Sequence, residues 1–204
     1  MVTAMRFYPP DALIPGGLST AEFRLEPLNA AHVELDYNAL MTSRERLNLF
    51  SGGVWPHDGF TLTENLADLE GHDAEQRARE AFTYTVLAPS GQQCLGCVYI
   101  NPLDRFLDQR SIPAAERPAS LDDDALVSCW ARASVVPSGL ETRLVAALRD
   151  WLARDWAFQR VTFVTSERFS EQQRAFDEAG LREVWSYAHT PNPLQAFRLY
   201  RAHE

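Results

Sequence analysis

Lysine is missing altogether: the 19 positive side chains among 204 residues are all arginine. Without an ε-amine there is no lysine Schiff base, and the phosphate-gripping lysine of a P-loop is excluded with it. Acidic residues outnumber basic ones, 28 to 19, and the formal charge of −9 repels a polyphosphate backbone. No nucleic-acid partner is therefore expected. Long apolar runs are lacking too; none approaches the roughly 18 to 20 residues that span a bilayer, so no membrane partner is expected. The start, MVTAMRFYPPDALIPGG, has no basic patch followed by an apolar stretch. That argues against a secretory leader and for a cytoplasmic protein.

Cysteine is scarce. Cys94, Cys97 and Cys129 are an odd number and make no disulfide framework. CLGC at 94–97 has the C-x-x-C spacing of zinc and redox sites, but no second pair completes four zinc ligands. QCLGCVYI reads as a strand, in which residues three apart point to opposite faces. Small buried side chains are the expected reading, with no metal. No G-x-S-x-G turn marks a serine nucleophile, and no period of 20 to 50 residues recurs.

What is present is globular: 46% hydrophobic and 23% charged residues with five tryptophans, in a length one domain can fill. Residues 1–21 read as an irregular arm, interrupted by Pro9, Pro10, Pro15, Gly16 and Gly17, ahead of one domain over 22–204. EFRLEPL (22–28) alternates as a strand. Asn29 caps a helix to about Met41 with Val33, Tyr37 and Leu40 on its apolar side. After the Gly-rich turn SGGVWPHDGF, a helix capped by Thr61 or Thr63 carries Leu62, Leu66 and Leu69 on one face. FTYTVLA (82–88) and QCLGCVYI (93–100) form a hairpin around PSGQ. Residues 101–123 read as a polar, Pro-interrupted excursion, and the run Asp122, Asp123 and Asp124 as a solvated acidic loop. ALVSCWARASVV (125–136) is a strand with Ala125, Val127, Cys129 and Ala131 on a small apolar face. A helix from about Ser138 to Trp156 buries Leu140, Leu144, Leu148 and Trp151. Strand 159–165, helix 170–180 ending at Gly180, and strands LREVWSYAH and LQAFRLYR complete the chain. The β-α-β unit over 125–165 predicts a right-handed parallel crossover. Hairpins elsewhere make the sheet mixed.

This order resembles the GCN5-related N-acetyltransferase family over residues 22–201. FTYTVLAPSGQQCLGCVYINP is similar to its central hairpin, with Gly96 in the second strand; ALVSCWARASVV and the following helix resemble its cofactor-binding unit. AFDEAGLREV resembles its last helix end and strand, with Phe176 where the family usually has a tyrosine. The resemblance implies an α/β (α+β) fold, a mixed twisted sheet of about seven strands flanked by helices. It also implies acetyl-CoA as co-substrate, in a cleft between strands 125–136 and 159–165. The strand edge at Val135 and Val136 would then hold the pantetheine arm. The turn and helix start, with Ser138, Gly139, Leu140 and Arg143, would hold the pyrophosphate.

PSGLETR is shorter than the family's Q/R-x-x-G-x-G/A turn and has one glycine. Ser138-x-x-Glu141 also reads as a capping box, which would satisfy the helix start internally and place a carboxylate where a phosphate would lie. Both readings of this turn stand. For chemistry, Phe176 cannot donate a proton, and Phe169 stands where an asparagine often opens the last helix. Asp124 and Tyr99 are the local substitutes as catalytic groups. Trp55 and His57, with Asp58 beside them, lie on the loop that the family places at the acceptor. Trp130, Trp185 and Tyr187 are aromatic candidates for that pocket. The expected activity is acyl transfer to a small amine by a monomer or homodimer. The alternative is an inactive relative binding a ligand or partner in the same cleft.

Overall fold

Alternating side chains build the centre of the molecule. The computed structural model describes residues 7–53, 55–121, 125–188 and 192–202. The predicted hairpin forms as β3 (Phe82–Leu87) and β4 (Cys94–Pro102). To one side lie β2 (Arg24–Pro27) and the two-residue β1 (Leu18–Ser19); to the other lie β5 (Ala125–Ala131), β6 (Val161–Ser166), β8 (Phe197–Ala202) and β7 (Leu181–Tyr187). The sheet order is β1-β2-β3-β4-β5-β6-β8-β7, eight strands where about seven were expected. Every adjacent pair is antiparallel except β5 with β6, which are joined through the long helix α5 (Leu140–Asp155).

Alternation along β5 sends Ala125, Val127 and Cys129 into a core with α5 and α6 (Ser170–Glu178), while Trp130 faces the opposite cluster. The predicted α5 stripe is buried: Leu140, Leu144, Leu148 and Trp151 all lie in the core, each worth about 1.5–3 kcal/mol of transfer free energy. The other face is covered by α1 (Val33–Met41), α2 (Arg44–Phe50), α3 (Leu62–Ala78) and α4 (Leu103–Gln109). Thr61 caps α3 in a box with Glu64. Residues ahead of β1 lie along the sheet: Tyr8 is buried, donates to the Leu13 carbonyl and accepts from the Ala157 N–H.

Several expectations are corrected. The polar excursion after β4 contains α4, whose Leu103 and Leu107 are buried in a satellite core. A seven-residue helix, α2, precedes the Gly-rich turn. The strand expected over 125–136 stops at Ala131, and residues Ala133–Ser138 wind into a 3₁₀ turn. The last rung is the Arg132 N–H on the Leu95 carbonyl; the next free N–H, of Ala133, goes to Ser43 Oγ at the start of α2. Finally, Cys94 and Cys97 share one face. A bulge opposite Val86 and Leu87 adds a residue between them, which resets the alternation. Their thiols donate to the carbonyls of Gly96 and Tyr84, and burial raises both pKa values, that of Cys94 to about 12.

Candidate functional site

Parallel pairing between β5 and β6 lasts three residues: Ala125 with Val161, Leu126 with Thr162 and Val127 with Phe163. Beyond that the strands part. β5 stays registered on β4 through Ala131, and β6 on β8 through Ser166, so the gap opens between β5 and β6 alone. Alternation turns the backbone groups of Cys129 and Ala131 into the gap. A hollow of about 260 Å³ lies there, lined by Ser128 of β5 and Val164, Thr165 and Ser166 of β6. It shares Phe50, Ser51 and Ser128 with a second pocket of about 390 Å³ beneath α1 and α3. On the other face a groove of about 240 Å³ runs between the starts of α5 and α6, past Val136, Gly139 and Glu141. The hollow thus opens onto the gap from the face covered by α1–α4, while the groove is lined by the turn, α5 and α6 without a residue of either strand.

No protein-family model matches the sequence, and no curated protein matches it. Solved structures do. The ribosomal-protein-S5-alanine acetyltransferase from Vibrio fischeri superposes with a TM-score of 0.67 at 12% identity, over 90% of this chain and 94% of that one. RimL, the ribosomal L7/L12 α-N-protein acetyltransferase in complex with coenzyme A, gives 0.68 at 13%, over 92% and 95%. The microcin C7 self-immunity acetyltransferase MccE, in complex with acetyl-CoA and AMP, gives 0.66 at 14%, over 93% and 97%. This is the GCN5-related N-acetyltransferase fold.

The acetyltransferase fold places the predicted donor residues differently from the sequence reading. Val135 and Val136 are in the 3₁₀ turn, not on a strand edge; the free edge of β5 is at Cys129 and Ala131. The capping box does not form. Ser138 Oγ donates back to the Val135 carbonyl, and no side chain caps α5, which begins after Gly139 in the left-handed region at φ 75°. Leu140 is buried in the core. Arg143 turns outward to Glu22 at 2.6 Å and to the Ser138 carbonyl at 2.9 Å, so it stands beside the turn already paired.

Glu141 points inward. It is 3% exposed and pairs with Arg46 of α2, itself 8% exposed. Gln172 of α6 donates to Glu141 Oε1 at 3.0 Å and to the Cys129 carbonyl at 2.7 Å, standing where a further strand partner would be. Arg46 also reaches Glu171 at 2.5 Å and stacks 4.4 Å above Phe169. The fit to a thioester carrier is therefore divided. A bare helix start beside a single glycine suits an anion. Gln172 occupies the arm's backbone partner, and Glu141, Glu171 and Glu178 flank the groove with Arg174.

On the α1–α3 face, Trp55 and Tyr99 line the 390 Å³ pocket. Tyr99 accepts from Trp130 Nε1 at 3.3 Å, and burial holds its pKa well above the ordinary tyrosine value. Trp130 is fully buried and supports Tyr99 rather than lining the pocket. His57 is exposed, bonded to the Asp58 carbonyl and 3.1 Å from Glu64; these partners raise its pKa, but it does not line the pocket. Asp124 lies outside the described residues.

Sequence reasoning missed Asp36, Asn65 and His72. Asp36 sits on the buried side of α1 with Ala39 and Leu40, at i, i+3 and i+4. Asn65, Leu69 and His72, at i, i+4 and i+7 along α3, turn to the pocket that Asp36 also lines, whereas the predicted Leu62 is exposed.

Proposed function

We propose that the protein transfers an acyl group from acetyl-CoA, or a related coenzyme A thioester, to a small amine. The reading is carried by the parting of β5 and β6 after three rungs, beside two hollows that share Phe50, Ser51 and Ser128, with a separate groove past the start of α5 on the other face. The thioester supplies an activated carbonyl carbon. The backbone of Cys129 and Ala131 would hold its arm once Gln172 swings aside, and the uncapped N–H groups at Leu140 and Glu141 would face its pyrophosphate. Tyr99, which lines the proposed acceptor pocket beneath α1 and α3 and is paired across the sheet with Ser128, keeps its proton at neutral pH and is the proposed proton donor. The test is release of free thiol from acetyl-CoA in the presence of an amine panel. Amine-dependent release supports the proposal, and none above background rejects it.

One observation favours a second reading, ligand binding without catalysis: the Gln172 amide already satisfies the Cys129 carbonyl and anchors on a buried ion pair. That reading expects neither calorimetric heat nor thermal shift with millimolar acetyl-CoA.

A further inference from the structure

Two carboxylates on these inner faces are buried, and they differ in one respect. Glu141 has Arg46. Asp36, 5% exposed, accepts one hydrogen bond, from Asn65 Nδ2 at 3.0 Å, and has no cationic partner among the described residues. A buried charge without a counter-ion is costly, and proteins keep one mainly where it has work to do. Here the carboxylate lines the 390 Å³ pocket. Burial lifts its pKa to about 6, with the nearby Asp68 carboxylate adding to the rise, so at neutral pH it is still largely an anion awaiting a partner.

The walls indicate what that partner is. Leu28, Leu69, Phe50 and Trp55 are apolar, and the volume falls in the range of small-molecule sites. Asp68 adds a second negative group at the lining; the histidine there, His72, is turned to Glu75 at 3.5 Å, and no arginine lines the pocket. No group of three His, Cys, Asp or Glu side chains that could hold a metal ion occurs among the described residues. The cation is thus an organic one, with a charged head small enough to meet Asp36 and an apolar body to cover the aromatic wall.

We propose that this pocket binds a primary ammonium ion carried on an alkyl or single-ring aryl body, with Asp36 as its counter-ion. The binding stands whether or not acyl transfer does; only the fate of the bound amine rests on that reading. In that case one ammonium proton passes to Asp36 and on to water. The freed lone pair forms the N–C bond as the C–S bond breaks, and the second nitrogen-bound proton ends on the departing thiolate.

Calorimetric titration of the full chain with 2-phenylethylamine and butylamine, with no acyl donor present, tests the site. The neutral isostere 2-phenylethanol is the control. The amines bind, and the alcohol binds at least about tenfold more weakly than 2-phenylethylamine, a difference of about 1.4 kcal/mol. Asp36→Asn weakens amine binding about thirtyfold and leaves the alcohol unchanged. Equal affinity for amine and alcohol, no heat from either amine, or an Asp36→Asn variant that binds amine as the wild type does would each overturn the proposal. Should the variant fail to fold, the amine-to-alcohol ratio on the wild-type chain still decides. Amine that binds without releasing thiol from acetyl-CoA refutes acyl transfer and leaves this site standing.

Discussion

Replacing Arg46 by methionine should unfold the protein at a markedly lower temperature. The guanidinium is almost wholly buried, with Nη2 on Glu141, Nη1 on Glu171 and its face on Phe169. Methionine keeps the stem and the contact with Phe169, so the loss is electrostatic. Glu171 is half exposed and swings into water at little cost. Glu141 cannot; it is left in the interior with only the Gln172 amide at 3.0 Å. Stranding one member of a buried pair costs about 3 to 5 kcal/mol. For a chain of this length each kcal/mol moves the midpoint by about 2 to 4 °C, so a fall of roughly 6 to 20 °C is expected by calorimetry. The control is Arg46→Met with Glu141→Leu. Removing both charges should bring stability back to within about 1 kcal/mol of the wild type, because the desolvation cost goes with them. A single variant that melts within a degree or two of the wild type, or a double variant that is worse than the single, would refute this account of the ion pair.

Asp36 predicts a pH dependence of opposite sign to that of a paired carboxylate. Its folded pKa is raised from 3.8 to about 6, so the cost of the buried charge is complete above pH 6 and relieved as pH falls towards 4. Two pKa units correspond to about 3 kcal/mol. Asp36→Asn should therefore stabilise the chain by up to that amount at pH 7.5 and by nothing near pH 4, read from urea midpoints; a gain independent of pH would be inconsistent with this. Gln172→Ala should lower the melting point by a few degrees yet tighten acetyl-CoA binding about threefold or more, since one internal hydrogen bond no longer competes; weaker binding would make Gln172 a ligand-holding group instead. At Gly96 any Cβ would stand 2.0 Å from the Trp130 carbonyl oxygen. Gly96→Ala should cost more than about 2 kcal/mol, and an unchanged melting point would mean that β4 and β5 can shift apart freely.

Local pattern was enough for the elements whose partners are near in sequence or whose periodicity is long. The β3–β4 hairpin, the four-residue stripe of α5 and the parallel unit through β6 are of that kind. Pattern failed where a distant group took over. ALVSCWARASVV alternates to its end, but its last residues turn because the Ala133 N–H is claimed by Ser43, 90 residues away. Ser138-x-x-Glu141 has capping spacing, yet Arg46 draws the glutamate inward and the cap is lost. In α4, Leu103 and Leu107 are one turn apart, a helical signal masked by the surrounding prolines and charges. Asp36 was hidden by habit: its spacing with Ala39 and Leu40 marks it as inward, but an acidic residue is read as solvated by default. Two of the residues that broke pattern, Glu141 and Asp36, line pockets, as expected when local preference is overruled at a site.

Helix α2 is seven residues long and is fastened at both ends to different business. Ser43 holds the turn before α5, Arg46 grips Glu141 and Glu171, and one turn later Phe50 leads with Ser51 into both hollows on the opposite face. A rod so short has no room to bend between those anchors. Were both proposed sites filled and α2 to shift as a unit, linkage would make the influence mutual: an occupant on one side that favours a given seating of this rod would alter, by the same factor, how tightly the other side holds its own.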